Sequence, residues 1–353
     1  MDLITLGWNE HWAQAFQRHA KDGLSPARVL VVHKGMYSVG AATGQLTAEI
    51  AGKLRLSTKR ADHASVGDFV AVRLPEGEGP AIIQAVLSRK TAFIRKAAGE
   101  KIEEQVLAAN IDTVFVVSSL DRDFNLRRLE RYLATAWESG AQPVIILNKA
   151  DACDDVGARL AEIAQIALGT PVHVTSALTR EGLEALVPYV SPGQTIGILG
   201  SSGVGKSTLI NALLGREAQA TNEVRASDDR GRHTTTHRQL FILPQGGMII
   251  DTPGMRELQL WDADEGLRTA FSDVESFAAR CQFRDCHHGN EPGCAVREAV
   301  QRGELDPARL ASFIKLGREV RYNEAQLDDN AMLNRKRNDK VANKAMKQFK
   351  TRG

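Results

Sequence analysis

A chain of 353 residues with a net charge of +2, 43% hydrophobic and 25% charged residues has ordinary globular composition and is too long for one small core, so two or three domains are expected. No apolar run approaches the roughly 20 residues that span a bilayer, and no leader pattern opens the chain, which predicts a cytoplasmic protein without a membrane partner. Four cysteines are too few for a disulfide scaffold, and the three between 281 and 294 ask for a metal instead.

Residues 1–27 read as an N-terminal extension in which Trp8, Trp12 and Phe16 share one helical face that packs on the body. From 28 to 97 the pattern changes to short β-rich runs, "RVLVVHKGMYSV", "GQLTAEIAGKLRLS", "GDFVAVRL" and "PAIIQAVLS". About five strands in this span predict a small closed β-barrel, SH3-like or of the oligonucleotide-binding (OB) type. Arg55, Lys59, Arg60, Arg89 and Lys90 fall in its loops.

From 98 to 266 strands and helices alternate. "TVFVVSS" (113–119) and "PVIILN" (143–148) are buried-strand runs flanking a helical pattern at 126–139. A helix near 154–168, the strand "PVHVTS" (171–176) and a helix near 180–189 come before "TIGILG" (195–200). A helix from Lys206 and the strands "RQLFILP" (238–244) and "GMIID" (247–251) complete the series. The alternation predicts a largely parallel α/β sheet covered on both faces. Residues 267–333 read as a mainly helical metal-binding domain, whose clearest helix opens with Asp306 and Pro307. In the tail, 334–353, eight Lys or Arg face Asp339 alone, which suits either a solvated tail or contact with nucleic-acid phosphates.

The stretch Gly200-Ser201-Ser202-Gly203-Val204-Gly205-Lys206-Ser207-Thr208 matches G-x-x-x-x-G-K-[ST]. Its glycines let backbone N–H groups turn onto phosphate oxygens, Lys206 offers a charge to the β- and γ-phosphates, and Ser207 offers a hydroxyl to Mg²⁺. Asn148-Lys149-Ala150-Asp151 supplies the base specificity. The Asp151 carboxylate accepts from the N1–H and N2–H donors of guanine, whereas adenine would leave it poorly paired. Ser176 and Ala177, in "VTSAL", are placed to close over the base through main-chain amides. Asp251 ends a strand in "DTPG" and is expected to hold Mg²⁺ through water, with the Gly254 N–H on the γ-phosphate. The long polar stretch 222–239 reads as a switch loop with Thr234 or Thr235 as a further Mg²⁺ ligand.

The usual order of such elements in a GTPase is phosphate loop, switch threonine, DxxG, NKxD, SA. Here the order is NKxD, SA, phosphate loop, threonine, DxxG, so the fold expected is a circularly permuted P-loop GTPase domain. Met255 stands where many GTPases carry a water-orienting glutamine, and His233 is the candidate to take that role. Further on, Cys281, Cys286, His288 and Cys294 make C-x₄-C-x-H-x₅-C, which suits a structural tetrahedral Zn²⁺, with His287 as the alternative histidine.

The barrel, the permuted motifs and the cysteine spacing together resemble the RsgA (YjeQ) family of ribosome small-subunit-dependent GTPases. "DFNLRRLERYL", "SSGVGKSTLINAL", "GRHTTTHRQL" and "DTPGMREL" carry the resemblance, which covers residues 28–330. It implies an OB-type barrel, GTP hydrolysis stimulated by the small ribosomal subunit, and a late role in maturation of that subunit. It also implies rRNA and GTP or GDP as partners, and hydrolysis as the releasing step. The expected form is a monomer. Two other readings carry from the residues: a nucleotide-gated rRNA-binding scaffold with negligible turnover, which Met255 favours, and a permuted GTPase of large-subunit assembly.

Overall fold

The computed structural model describes residues 1–33, 35–57, 62–96, 104–217, 238–251, 264–323 and 325. Lys59, Arg60, His233, Thr234, Thr235, Gly254, Met255 and the basic tail lie outside the described residues.

Five strands close the barrel: β1 (Ser25–Val32), β2 (Tyr37–Ala41), β3 (Gly44–Ile50), β4 (Phe69–Arg73) and β5 (Ala81–Val86). They run in the order β1-β2-β3-β5-β4 with β4 returning to β1, and only β3–β5 is parallel. This is the OB alternative of the two expected. Small and branched inward residues fill it: Ala27, Val29, Val39, Ala48, Val70, Val72 and Ile83 are fully buried. The run "GKLRLS", read as strand, is instead the helix α2 (Gly52–Ser57), because the chain must cross from β3 toward β4.

The helix α1 (Glu10–Ala20) is capped by Asn9, whose side-chain oxygen accepts from the Trp12 amide. It lays Trp12 against Phe69 on the outside of the barrel, ring centroids 4.5 Å apart, with Phe16 and Trp8 beside it. Two of the basic loop residues are engaged internally. Arg89 holds the fully buried Asp68 at 2.8 Å, and the Lys90 ammonium lies 5.2 Å from the Trp12 ring centre. These two cations brace the barrel instead of standing free in its loops.

After a hairpin, β6 (Ala92–Lys96) and β7 (Glu104–Ala109), which the sequence pattern leaves unassigned, the α/β elements follow. They are β8 (Thr113–Ser119), α3 (Leu126–Glu138), β9 (Gln142–Asn148), α4 (Val156–Ala167), β10 (Val172–Val174), β11 (Thr195–Leu199), α5 (Lys206–Leu214), β12 (Arg238–Ile242) and β13 (Met248–Asp251). The helix expected near 180–189 is a 3₁₀ helix, Leu183–Val190, with Pro188 inside it. Proline has no N–H to continue an α-helical ladder.

The sheet order is β10-β9-β8-β11-β13-β12, parallel except for the last pair. Alternate residues of β8 serve opposite cores. Val114 and Val116 pack with Leu129 and Leu133 of α3, while Phe115 and Val117 pack with Leu209 and Leu213 of α5.

Two couplings join the parts. First, β12 pairs with β1 through Val31↔Gln239 and Val32↔Arg238, so barrel and α/β sheet are one hydrogen-bonded surface. Beneath that seam Arg28, 1% exposed, donates to the carbonyls of Leu6, Gly67 and Asn110 at 2.7–3.1 Å. Burial pushes its guanidinium down to about 10, with Asp112 and Asp68 acting against the fall. Second, of the C-terminal helices, α6 (Asp264–Ala270) packs along α3 and α9 (307–323) is ion-paired to it, while α7 (Ser272–Ala278) packs on α6 and α8 (Ala295–Gln301) on α7. A side chain at Gly266 would stand 2.6 Å from the Glu138 amide, so only glycine permits this approach of α6 to α3.

Arg28→Met removes the guanidinium and leaves the buried Leu6 and Asn110 carbonyls without their donor, while that of Gly67 keeps the Asn110 side-chain amide at 3.2 Å. It should lower unfolding stability by about 3 kcal/mol or more. A chemical-denaturation midpoint equal to that of the parent would contradict this role.

Candidate nucleotide site and metal centre

Strand β11 is buried throughout and delivers the chain into the loop 200–205. Gly200 takes φ +157°, where a Cβ would lie 2.5 Å from the Val117 carbonyl. Gly203 takes φ +82° with open space around it, so the loop presents bare backbone to solvent at its tip. Helix α5 then begins at Lys206 behind Gly205, which offers no side-chain cap. An uncapped helix N-terminus of this kind favours an anion. The Lys206 ammonium bonds the Gly200 carbonyl at 2.8 Å and also the Ser201 carbonyl, which holds it across the loop. Ser202 and Gly203 are exposed, Val204 is buried, and Ser207 and Thr208 are half-buried in the first turn of α5.

Asn148 closes β9 and is 1% exposed. Its amide nitrogen donates to the Val204 carbonyl at 2.9 Å, and its oxygen accepts from the Ala177 amide at 2.9 Å. Thr175 Oγ1 donates to the same oxygen at 3.4 Å. One carboxamide thus joins the base loop, the phosphate loop and the segment 175–177. Gly205 must be glycine partly for this reason, since a Cβ there would collide with the Asn148 amide.

Lys149 adopts the left-handed conformation at φ 64°, which turns the chain toward Asp151, and its ammonium pairs with Asp121 at 2.8 Å. Burial works against ionisation of Asp121. The bonds from Lys149, Ser119 and the Asp123 amide prevail and hold it at about 2. Ala150 donates its amide to the Thr175 carbonyl at 3.1 Å, which fastens the base loop to the strand beyond. Asp151 is exposed and accepts from the Ser176 hydroxyl at 2.5 Å through one oxygen. The amides expected over the base are engaged within the protein: Ser176 N–H donates to the Glu181 carbonyl at 2.9 Å and Ala177 N–H to Asn148.

Asp251, at the end of β13, sits at the same sheet edge because β13 runs parallel to β11 with Gly197↔Ile250 in register. Three residues that sequence reasoning missed support this edge. Asp123 and Arg128 pair at 2.6 Å, and both bond the Ser201 hydroxyl, at 3.1 and 2.8 Å. Asp121 braces Lys149. The usable signal was topological: loops following neighbouring parallel strands meet at one edge, and β8 neighbours β11.

The second site lies between α7 and α8. The donor atoms of Cys281, Cys286, His288 and Cys294 all lie within 4.8 Å of one another. Cys281 and Cys294 sulfurs are 4.0 Å apart, and His288 Nδ1 is 3.7 and 3.5 Å from them. Ligands on a tetrahedral Zn²⁺ with bonds near 2.3 Å are about 3.8 Å apart, so the donor set and its spacing fit that ion. His287 is exposed and outside the set; its amide donates to Glu291 at 3.0 Å. Burial, then the Cys294 and Cys281 sulfurs, push the Cys286 thiol up to about 11 against the lowering bond from the His288 amide. A cation among the sulfurs is what makes such a cluster ionise. Burial also lowers the His288 pKa, which favours the neutral ring that ligates.

His288→Ala should abolish stoichiometric metal in the purified protein, and His287→Ala should retain it, by elemental analysis. Equal metal content in both variants would show that the histidine at 288 is not a ligand.

The sequence model of the RsgA GTPase family matches residues 86–261. The small ribosomal subunit biogenesis GTPase RsgA of Opitutus terrae is 51% identical over 338 residues, covering 93% of this chain and 92% of the relative. The RsgA of Syntrophotalea carbinolica is 45% identical over 349 residues, 97% of this chain and 96% of its own. The crystal structure of YjeQ from Thermotoga maritima superposes with a TM-score of 0.62 at 30% identity, covering 83% of this chain and 97% of that one. YloQ, described as a circularly permuted GTPase, superposes with a TM-score of 0.62 over 84% and 95% of the two chains, and at 23% identity it speaks to fold alone. With phosphate and base loops converging on one sheet edge in permuted chain order, and with relatives of this identity along nearly its whole length, the chain belongs to the RsgA family of circularly permuted GTPases.

Proposed function

We propose that this GTPase binds the small ribosomal subunit and acts late in its maturation, hydrolysing GTP to GDP and phosphate at a rate the subunit stimulates. GTP favours the bound state and hydrolysis releases the protein. The observation that carries the reading is the convergence of Asn148–Asp151, Ser176–Ala177 and Gly200–Thr208 on one edge, in a chain whose relatives are named for small-subunit biogenesis. Guanine is recognised by Asp151, an exposed carboxylate that the Ser176 hydroxyl orients through one oxygen. Asn148 and Lys149 set the pocket wall.

The phosphates lie in the loop 200–205 against the amides of α5, and Lys206 moves from the loop carbonyls to the β- and γ-phosphate oxygens. Ser207, Asp251 through water, and Thr234 or Thr235 would hold Mg²⁺, which when bound would supply positive charge to the phosphates. Gly254 contacts the γ-phosphate. His233 orders the attacking water in place of the glutamine that Met255 replaces. Zn²⁺ at Cys281, Cys286, His288 and Cys294 holds the C-terminal helices together in a structural role. The barrel surface and the basic tail meet rRNA phosphates, and the protein works as a monomer in the cytoplasm.

Two measurements check this. GTP turnover should rise strongly with small subunits and stay flat with large subunits. Unstimulated turnover with GTP-dependent binding intact would favour the scaffold reading, and stimulation by large subunits alone the third. Asp151→Asn should weaken GTP binding by roughly a hundredfold or more and gain affinity for xanthosine triphosphate, whose C2 carbonyl accepts from the new amide. Unchanged GTP affinity would remove Asp151 from base recognition.

A further inference from the structure

We propose that Arg128 is a positioning residue of the phosphate loop, and that through it the C-terminal helices act on nucleotide affinity; this rests on the GTPase reading above. The contact is local and specific. Arg128 donates to Ser201 Oγ at 2.8 Å and to the Asp123 carboxylate at 2.6 and 3.2 Å, while Ser201 Oγ donates to Asp123 at 3.1 Å. Hydroxyl, guanidinium and carboxylate form a closed triangle in which each member is oriented by the other two. Ser201 follows Gly200, and the carbonyls of these two residues hold Lys206. A displacement of Arg128 therefore moves the backbone that sets the lysine.

The other residues of α3 go to the C-terminal helices. Arg127 pairs with Asp306 at 2.9 Å, and Glu130 accepts from Arg309 at 2.9 Å. Arg131 grips both oxygens of Glu319, and Glu138 accepts from the Gly266 amide at 3.0 Å. Arg309 in turn bonds Asp273 and the Ala270 carbonyl, each at 2.8 Å, and lies 4.1 Å from the centre of the Phe271 ring. One helix thus holds the phosphate loop on its first turn and α6 and α9 along its length, with α7 tied in through Arg309.

The network also has room for a second arrangement. Glu130 is fully buried, shares Oε1 between Arg127 and Arg309, and leaves Oε2 without a hydrogen-bond partner. A half-satisfied buried carboxylate is poised to exchange partners when its neighbours shift. Coupling between sites is reciprocal in affinity, so a partner seated on the C-terminal helices that tightens nucleotide binding is itself bound tighter by the same factor when nucleotide fills the loop.

The test uses the full chain with GDP and Mg²⁺, without ribosomes. In the parent protein, GDP should slow amide hydrogen exchange over 264–278 by on the order of fivefold. In Arg128→Ala and in Ser201→Ala, at saturating GDP, that protection should vanish. Arg128→Lys should restore only part of it, since an ammonium cannot fork between Ser201 and Asp123. Arg128→Ala should raise KM for GTP more than it lowers kcat. From the far end, Glu319→Gln should weaken GDP binding by a few-fold, on the order of the same coupling. GDP-dependent protection that persists unchanged in Arg128→Ala, or that is missing from a parent protein saturated with GDP, would overturn the proposal. A parent protein that binds no GDP would overturn the guanine-nucleotide reading itself.

Discussion

The site depends on one buried carboxamide. Asn148 holds the Val204 carbonyl with its nitrogen and the Ala177 amide with its oxygen, so the phosphate loop, the base loop and the segment after β10 keep one geometry. An aspartate would present two acceptors to a carbonyl and lose the first contact; an alanine would lose both. In a 1% exposed position each loss leaves an unpaired backbone group.

Circular permutation leaves the sheet intact and changes what is attached to its ends. The strand order β10-β9-β8-β11-β13-β12 places Asn148–Asp151, Gly200–Thr208 and Asp251 at the same edge irrespective of their order along the chain. The entry of the chain into the sheet now comes from the barrel, and its exit after β13 leads to the C-terminal helices. Both attachments are tight. The barrel shares hydrogen bonds with β12 through β1, and the helices close on α3 around Gly266 and the Glu130–Arg309 pair. Neither neighbour is held by a linker alone, so each has a short mechanical path to the nucleotide edge.

The metal centre plays a matching part. His288 stacks 6.1 Å from Phe313 of α9, and Cys281 and Cys286 pack against the large core that also contains Leu129 and Leu133 of α3. The cluster lies where α7, α8 and α9 meet, and α9 presents Arg309 and Glu319 to α3 while Asp273 of α7 holds Arg309. Residues with the donor set and spacing for a metal thereby border a surface that reaches the phosphate loop through a single helix.

Much was legible in the sequence because it is encoded locally. The spacing of glycines in 200–205, the NKAD run after an apolar strand, and three cysteines with a histidine each specify chemistry within a few residues, and their order along the chain already discloses the permutation. The barrel type was narrowed to two by its strand rhythm, and pairing decided between them, since a parallel β3–β5 contact has no sequence signature. Between His288, which the sequence reading puts first, and its alternative His287, tertiary structure favours His288, which is buried in the cluster while His287 is exposed. It likewise took Arg89 and Lys90 out of the set of free loop cations, by supplying a buried carboxylate and an indole face. The roles of Arg28, Asp121 and Arg128 rest on partners 22 to 220, 28 and 73 residues away, which no local pattern records. Short-range pattern determined the chemistry present; long-range packing decided which side chains are available to perform it.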